Sequence, residues 1–249
     1  KIRRGVKAGM AAVTESNVLT DNRVVSMIEK FKASGKYKLM QEGERYYQVD
    51  NDIKNRKITR KVDGHKEEET WRANNKLAHA KYKIQVDEKI AYLLTKPVTY
   101  KTDGADKNDT YVEKVKDVLG KHFQYQLTQL GYEASNKGIG WLHVYLDPKG
   151  KLKTIMAEQC IPYWSDRSHT ELDAMIRVYN TTVWQYNQEK EITNVEIWTK
   201  DGVKYYRLEG QMLVYDNDKS MDAGGPVAHY KSVEEWETWG KVPFIPFKN

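Results

Sequence analysis

The side chains that could carry chemistry in this chain are histidines, carboxylates and one cysteine, and their spacing limits what they can do. None of the six histidines stands beside a second His or Cys at the short spacing of a zinc or iron site. They occupy positions 65, 79, 122, 143, 169 and 229. Cys160 is the single cysteine, which excludes an internal disulfide and a thiolate cluster and fits a reducing compartment. We predict that the chain has no metal site.

Sequence motifs of known catalytic sites are also missing. The run Gly138-Ile139-Gly140 follows a predicted helix and precedes a predicted strand, whereas a phosphate site needs the strand first and the helix after it. We interpret this run as a tight helix-to-strand junction, and His143 in the following strand as a packed structural residue. The sequence contains no G-x-S-x-G turn and no Walker loop. We therefore predict no catalytic residue and no cofactor, so the chain is predicted not to be an enzyme.

Four basic residues are the candidates for binding an acidic partner. Arg56, Lys57, Arg60 and Lys61 lie in the polar stretch 50–71, which we predict to be a long exposed loop. A basic loop of this kind can contact phosphate or an acidic protein surface. The simpler interpretation is solvated surface charge, because no aromatic residues interleave with these cations to stack on bases.

The composition is typical of a chain with much exposed surface. Of 249 residues, 39% are hydrophobic and 31% are charged, and the mean hydropathy is −0.80. The formal net charge is +6, with 22 basic and 13 acidic residues in 1–100 (+9) and 19 and 22 in 101–249 (−3). Seven Trp and 17 Tyr are many for this length, and such aromatics are favoured at interfaces. These features favour a subunit whose surface is partly buried by neighbouring subunits. No apolar run reaches the roughly 18 residues of a membrane span.

Two long helices give the strongest secondary-structure signal. Residues 74–96 carry apolar side chains over more than half of the helical circumference, up to Pro97, so we predict an internal helix that other elements cover. Residues 109–136 repeat apolar side chains at three- and four-residue steps and are predicted as a second long helix packed on the first. Shorter helices are predicted over residues 14–33 and 36–49.

Runs of alternating apolar residues predict an antiparallel sheet built from hairpins. The predicted strands cover residues 98–101, 139–146, 152–156, 174–179, 192–199, 203–208 and 211–215, and residues 242–247 are predicted to be extended. Four side chains are predicted to share the inward face of the sheet: Val195, Ile197, Val203 and Val214. Residues 232–239 are predicted as a short turn or helix. The predicted fold class is therefore α+β, with two long packed helices and an antiparallel sheet or meander.

Several segments, taken in order, resemble the N-terminal half of portal proteins from long-tailed bacteriophages, the ring-shaped head-to-tail connectors. The matching segments are Asn74-Asn75, Val86–Lys89, Tyr92–Thr99, Lys137–Tyr145 with the turn Asp147–Gly150, the Pro-x-Trp loop Ile161–Asp166, Leu172–Arg177 and the boundary motif Val242–Asn249. The resemblance covers residues 36–249. It implies an N-terminal helical segment over 1–35 and a wing-like domain over 36–249. The family's stem, clip, tunnel loop and crown are expected largely after the boundary motif.

The resemblance also implies a function, which we state here as an expectation. The whole protein would form a ring of identical copies, commonly a dodecamer, at one capsid vertex of the virion, after assembly in the bacterial host cytoplasm. Double-stranded DNA would pass through its channel during packaging and ejection, and capsid or scaffold protein, terminase and a head-tail adaptor would dock on it. Membrane association is not expected.

The wing-like domain would contact neighbouring subunits and the capsid. We expect exposed aromatics to contribute to these contacts and name four candidates: Trp141, Trp164, Trp236 and Trp239. An alternative function is a basic nucleic-acid-binding module that acts through the N-terminal region, and an enzyme is a more distant third.

Overall fold

The computed structural model describes residues 19–101, 109–147, 150–185, 187–220, 225–231 and 235–249. The helices are α1 (Asp21–Ala33), α2 (Gly35–Tyr47), α3 (Lys81–Leu94), α4 (Asp109–Leu119) and α5 (Phe123–Lys137). The strands are β1 (Thr59–Val62), β2 (His65–Glu68), β3 (Ile139–Asp147), β4 (Gly150–Ile155), β5 (Cys160–Trp164), β6 (Leu172–Gln185), β7 (Gln188–Thr199), β8 (Gly202–Glu209), β9 (Met212–Tyr215), β10 (Tyr230–Lys231), β11 (Trp236–Glu237) and β12 (Phe244–Lys248). The predicted α+β class is confirmed.

The larger sheet is an antiparallel meander of five strands in the order β5-β6-β7-β8-β9. Val195 and Ile197 are buried on one face, as predicted. Val203 is also buried, but it pairs with Trp198 and therefore points to the opposite face. Val214 is 38% exposed. The predicted common face of these four side chains was wrong, because the alternation of side chains restarts at each turn and both faces of this sheet are covered at its centre.

Helix α1 covers the first of these faces through Val24 and Ile28, both buried. The helix begins at Asp21 rather than at residue 14, and residues 14–18 lie outside the described part of the chain. Ser34 separates α1 from α2. Its hydroxyl donates a 2.6 Å hydrogen bond to the carbonyl of Phe31, and it accepts one from the N–H of Tyr37 at the start of α2. The side-chain cap thus fixes the angle between two helices.

A smaller sheet in the order β12-β3-β4 packs on the second face of the meander. Its central strand β3 alternates between two buried environments. Trp141 and His143 point toward the meander, whereas Gly140 lies against Leu130 of α5. Strand β12 pairs with β3 from the far end of the chain, with Phe244 opposite His143. The extended conformation predicted for residues 242–247 is confirmed over the part that forms β12.

The two predicted long helices differ from the prediction in length. Helix α3 begins at Lys81, so residues 74–80 are not helical, and the strand predicted at 98–101 does not form. The second helix is interrupted between α4 and α5, where Gly120 adopts a left-handed conformation with φ 75°. Helix α3 packs on α5, as predicted, and α2 packs on α5 as well. None of the described helices is long and apolar enough to cross a membrane.

Two further predictions were wrong because short hairpins form where no regular strand was expected. Strands β1 and β2 pair within the segment predicted as a loop, around Asp63-Gly64 with φ values of 49° and 83°, the combination of a type I′ turn. Trp236 belongs to β11, which pairs with β10, so the predicted turn or helix over 232–239 is extended where it is described. Residues 232–234 lie outside the described part.

The contact between α2 and α5 depends on the absence of a side chain at Gly43. A Cβ atom there would lie 2.0 Å from the backbone carbonyl oxygen of Asn136. We expect Gly43→Ala to lower the free energy of unfolding by about 1–3 kcal/mol, because the two helices must move apart. Urea unfolding followed by circular dichroism measures this change.

Gly35→Ala is the matched control, since nothing lies within 4 Å of the added Cβ in the same helix. We expect that substitution to be neutral or to stabilise by up to about 1 kcal/mol. Equal destabilisation by both substitutions would contradict a close contact at Gly43.

Candidate functional site

The interior contains ionisable groups, but their surroundings make them structural. In the described ranges no group of three or more His, Cys, Asp or Glu side chains is arranged to hold a metal ion. Cys160 is buried in the core between the sheets, and burial raises the pKa of its thiol above the ordinary value. A thiol held in its protonated form is a poor nucleophile.

The most densely charged buried group is Lys137 at the end of α5. Its Nζ lies 2.8 Å from Glu158, 2.9 Å from Glu133 and 3.6 Å from Glu44. Burial opposes the charge on Lys137, but the hydrogen bond to Glu158 and the carboxylate of Glu133 outweigh it and raise the pKa of the lysine. Glu133 also accepts a hydrogen bond from the N–H of Ala157. The cluster joins α2, α5 and the turn before β5, and it leaves no free base for catalysis.

His143 lies in an aromatic environment between the two sheets. Its ring stacks on Phe244 at 4.5 Å and meets Trp198 edge to face at 4.6 Å. Burial, with a smaller contribution from the charge of Arg177, lowers the pKa of His143 to about 3. The interpretation of His143 as a packed structural residue is confirmed by this burial.

The four predicted aromatic contacts differ in burial. Trp141 is 1% exposed and belongs to the core, so it cannot touch a neighbour while the domain is folded, and its assignment was wrong. Trp164 is half-buried, 6.1 Å from Trp141 and stacked on His169 at 5.2 Å. Trp236 and Trp239 are 46% and 36% exposed and stay candidates for subunit or capsid contacts.

The four predicted basic contacts lie on or beside the β1–β2 hairpin, and all are exposed. Lys57 forms a 2.9 Å ion pair with Glu68. Arg60 lies 3.9 Å from both Glu67 and Glu69. These pairs offset part of the positive charge within the hairpin, which weakens the case for phosphate binding by Lys57 and Arg60. Arg56 and Lys61 form no ion pair with the described residues, and their role as contacts stays a prediction.

The largest unexplained feature is a set of exposed apolar side chains on the three helices α3, α4 and α5 and on the segment after α3. The set, named here the apolar helix surface, comprises Ile84, Tyr92, Leu93, Val98, Tyr111, Val118 and Tyr125, each between 45% and 89% exposed. A groove of about 150 Å³ between the segment Pro97–Tyr100 and the α4–α5 junction lies within this region.

Helix α3 shows how this surface arises. Val86 and Ile90 form the buried stripe against α5, whereas Ile84 and Tyr92 lie on the opposite side of the helix. The prediction of an internal helix covered on all sides was therefore wrong for the single chain. The apolar side chains around α3 are present as the pattern indicated, but within this chain other elements cover only one side of the helix.

Sequence reasoning also missed two exposed tryptophans, Trp71 at 72% and Trp184 at 68%. Trp184 lies on β6 near the end of the β6–β7 hairpin, and Trp71 follows the β1–β2 hairpin. Neither tryptophan belongs to an apolar run, so the sequence patterns did not identify them as surface candidates. An isolated tryptophan within a predicted hairpin would have been the available signal.

Taken together, the described residues form two larger sheets, two short hairpins and a helix layer, with structural ionisable groups and exposed apolar side chains. That arrangement is typical of a subunit that assembles with other chains. A family model described as phage portal protein, SPP1 Gp6-like, matches residues 32–249. The chain belongs to the phage portal protein family, and the resemblance found in the sequence is confirmed.

Two curated relatives support this assignment. The portal protein of Bacillus phage SPP1 is 30% identical over 228 residues, which cover 90% of this chain and 43% of that protein. The portal protein of Clostridium phage phiCD119 is 30% identical over 220 residues, which cover 84% of this chain and 45% of that protein. The chain therefore spans a little under half the length of these relatives.

The buried neutral His143 predicts a pH dependence of stability. Its folded pKa lies below the ordinary value of about 6.5, so the unfolded chain binds the proton more readily. The stabilising contribution is complete above about pH 6.5 and is lost as the pH falls toward 3. Within that window the free energy of unfolding therefore falls as the pH is lowered.

We expect His143→Gln to flatten the dependence of the urea midpoint on pH between 6.5 and 4, whatever its effect at pH 7. The exposed His65→Gln is the control and should leave the slope of the wild-type protein unchanged. An unchanged slope in His143→Gln would show that other groups cause the acid sensitivity.

Proposed function

We propose that this chain is the wing region of a portal subunit that assembles into a ring at one capsid vertex. The full protein would serve as the conduit for double-stranded DNA in packaging and ejection and as the platform for terminase, capsid or scaffold protein and head-tail adaptor. Membership of the portal family over residues 32–249 supports this proposal. The role of this region would be structural, located in the virion and, during assembly, in the bacterial host cytoplasm.

The observation that carries the proposal at the level of residues is the apolar helix surface. Ile84 is 52% exposed and Tyr92 89%, both on the side of α3 that faces away from α5. Large exposed apolar groups that are clustered mark interaction sites, because leaving them in water forfeits about 25 cal/mol for each Å² that a partner would bury. A ring supplies such a partner to every subunit.

We infer that a neighbouring copy covers α3. The alternative is that α3 is covered by a further part of the same polypeptide, corresponding to the region of the relatives that this chain does not span. The two sources differ in a measurable way. Cover from the same polypeptide contributes to the unfolding free energy of one chain, whereas cover from a neighbour contributes to association.

The nucleic-acid-binding alternative gains less support from the geometry. The β1–β2 hairpin carries Glu67, Glu68 and Glu69 among its basic residues, and two of the four predicted cations lie next to these carboxylates. Acidic side chains at the same site would repel the phosphate backbone. The hairpin is better suited to another protein surface than to DNA.

We expect the double substitution Ile84→Ser and Tyr92→Ser to abolish ring formation by the protein expressed at its natural length. The thermal midpoint of the isolated subunits should stay within about 2 °C, because both side chains are exposed in the single chain. Native mass spectrometry measures the ring, and differential scanning calorimetry measures the midpoint.

Met212→Ser is the control, since Met212 is 68% exposed on β9, away from the apolar helix surface. It should leave the ring intact. A ring that survives the α3 substitutions with a lowered midpoint would assign the cover to the same polypeptide and contradict the neighbour contact.

A further inference from the structure

The two longest strands of the meander, β6 and β7, continue past the ends of their neighbours β5 and β8. Strand β5 pairs with β6 only between residues 172 and 177, and β8 pairs with β7 only from Thr193 to Thr199. Beyond these limits β6 and β7 pair with each other alone, from Thr181 opposite Ile192 to Gln185 opposite Gln188. The result is a two-stranded projection of about 17 Å, at roughly 3.3 Å for each residue. We name residues 181–185 and 187–192 the β6–β7 arm.

One face of the arm is acidic and carries an exposed tryptophan. Side chains alternate along each strand, so Thr182 and Trp184 share a face with their cross-strand partners Glu191 and Glu189. Trp184 is 68% exposed, and both glutamates are exposed. Glu189 forms no ion pair with any residue in the described ranges, and Glu191 is hydrogen-bonded only to the neutral amide of Asn180, at 2.8 Å. The α-carbons of the two glutamates are about 6.7 Å apart along the strand, so two negative charges lie on the same face.

One face of the β1–β2 hairpin carries two lysines, and the carboxylate of Glu68 on that face is already paired with Lys57 at 2.9 Å. Lys61 lies directly opposite Lys66, so both ammonium groups emerge from the same face of the hairpin, and both residues are exposed. Like charges in directly opposed positions destabilise a hairpin. Within the part of the chain that the structure describes, neither lysine has an ion-pair partner, whereas Lys57 and Arg60 nearby have carboxylates within 4 Å.

We propose that the acidic face of the β6–β7 arm of one subunit docks on the Lys61–Lys66 face of the β1–β2 hairpin of the next subunit. Each face holds a like-charge pair that its own chain leaves unbalanced, and contact between subunits balances both pairs. Trp184 lies directly opposite Glu189 and supplies apolar area and an aromatic ring for a lysine ammonium group. The inference rests on the proposed ring assembly.

The partner that this geometry favours is a second copy of the chain. The contact joins two different surfaces, and such a heterologous contact repeats around a ring and closes it. Each copy supplies one acidic and one basic face, so every arm in a ring has a matching hairpin. A nucleic acid would be repelled by the acidic arm, and it would leave that arm unmatched.

The experiment reverses the two charges on each face in the protein of natural length. Variant one is Glu189→Lys with Glu191→Lys, and variant two is Lys61→Glu with Lys66→Glu. A cysteine at each tip, Gln185→Cys and Asp63→Cys, reports contact between copies through a flexible bis-maleimide. Cys160 gives no background, because it is 1% exposed and burial raises the pKa of its thiol.

We expect each variant alone to lose the chain-to-chain crosslink by about tenfold, because every arm then faces a hairpin of its own sign. An equimolar mixture of the two variants should restore the crosslink, since alternating copies are complementary at every contact. Raising the ionic strength should reduce the wild-type yield, because the charges are exposed. Reversing Lys36 and Lys38, two exposed lysines of α2, is the control and should change nothing.

The outcomes separate this inference from the ring proposal. Rings that form without the wild-type crosslink, or a mixture that fails to restore it, overturn the arm-to-hairpin contact and leave the ring proposal standing. Absence of rings in the wild type overturns both. If the crosslink returns when both reversals are placed in one chain but not in the mixture, the contact lies within one subunit. That outcome also overturns the inference.

Discussion

The packing of strand β3 against the five-stranded meander is the contact on which the rest of the structure depends. Trp141 and His143 project from one face of β3 and pack with Met175 and Trp198 of the meander in a single core. The opposite face of β3 receives α5, where Gly140 allows the helix backbone to approach. Because β3 is buried on both faces, it fixes the distance between the helix layer and the larger sheet, and the helices α2 and α3 both pack on α5.

Buried charge is accommodated in this core by local ion pairs and hydrogen bonds. Glu196, on the face of β7 that meets the smaller sheet, accepts hydrogen bonds from Arg177, Tyr179 and the indole N–H of Trp198. Lys137 is held by three carboxylates from three elements. Groups satisfied in this way specify how the layers align, because a shifted layer would leave a charge buried without a partner. They are poor candidates for chemistry, which is consistent with a scaffold whose function lies on its surface.

The surface divides into two kinds of region that differ in how they would serve assembly. The apolar helix surface contributes area to be removed from water, which strengthens association without defining orientation. The β6–β7 arm and the β1–β2 hairpin carry unbalanced charges at defined positions, which favours one docking geometry over others. The apolar region lies on helices that pack on the body of the domain. The charged regions lie on two-stranded hairpins that project from it.

The sequence by itself determined the class of the fold, the meander and the family, because strand alternation, turn residues and ordered motifs are local signals. It also indicated His143 as a packed residue and Gly138-Ile139-Gly140 as a junction, since both follow from their neighbours along the chain. The tertiary structure alone decided which apolar side chains are buried. Trp141 and Trp236 look alike in sequence, yet one is in the core and the other at a hairpin edge. The apolar circumference of α3 could not show which side α5 would cover, because burial depends on elements far away in the chain. The unbalanced pairs at Lys61–Lys66 and Glu189–Glu191 likewise emerge only once strand register places the side chains on common faces.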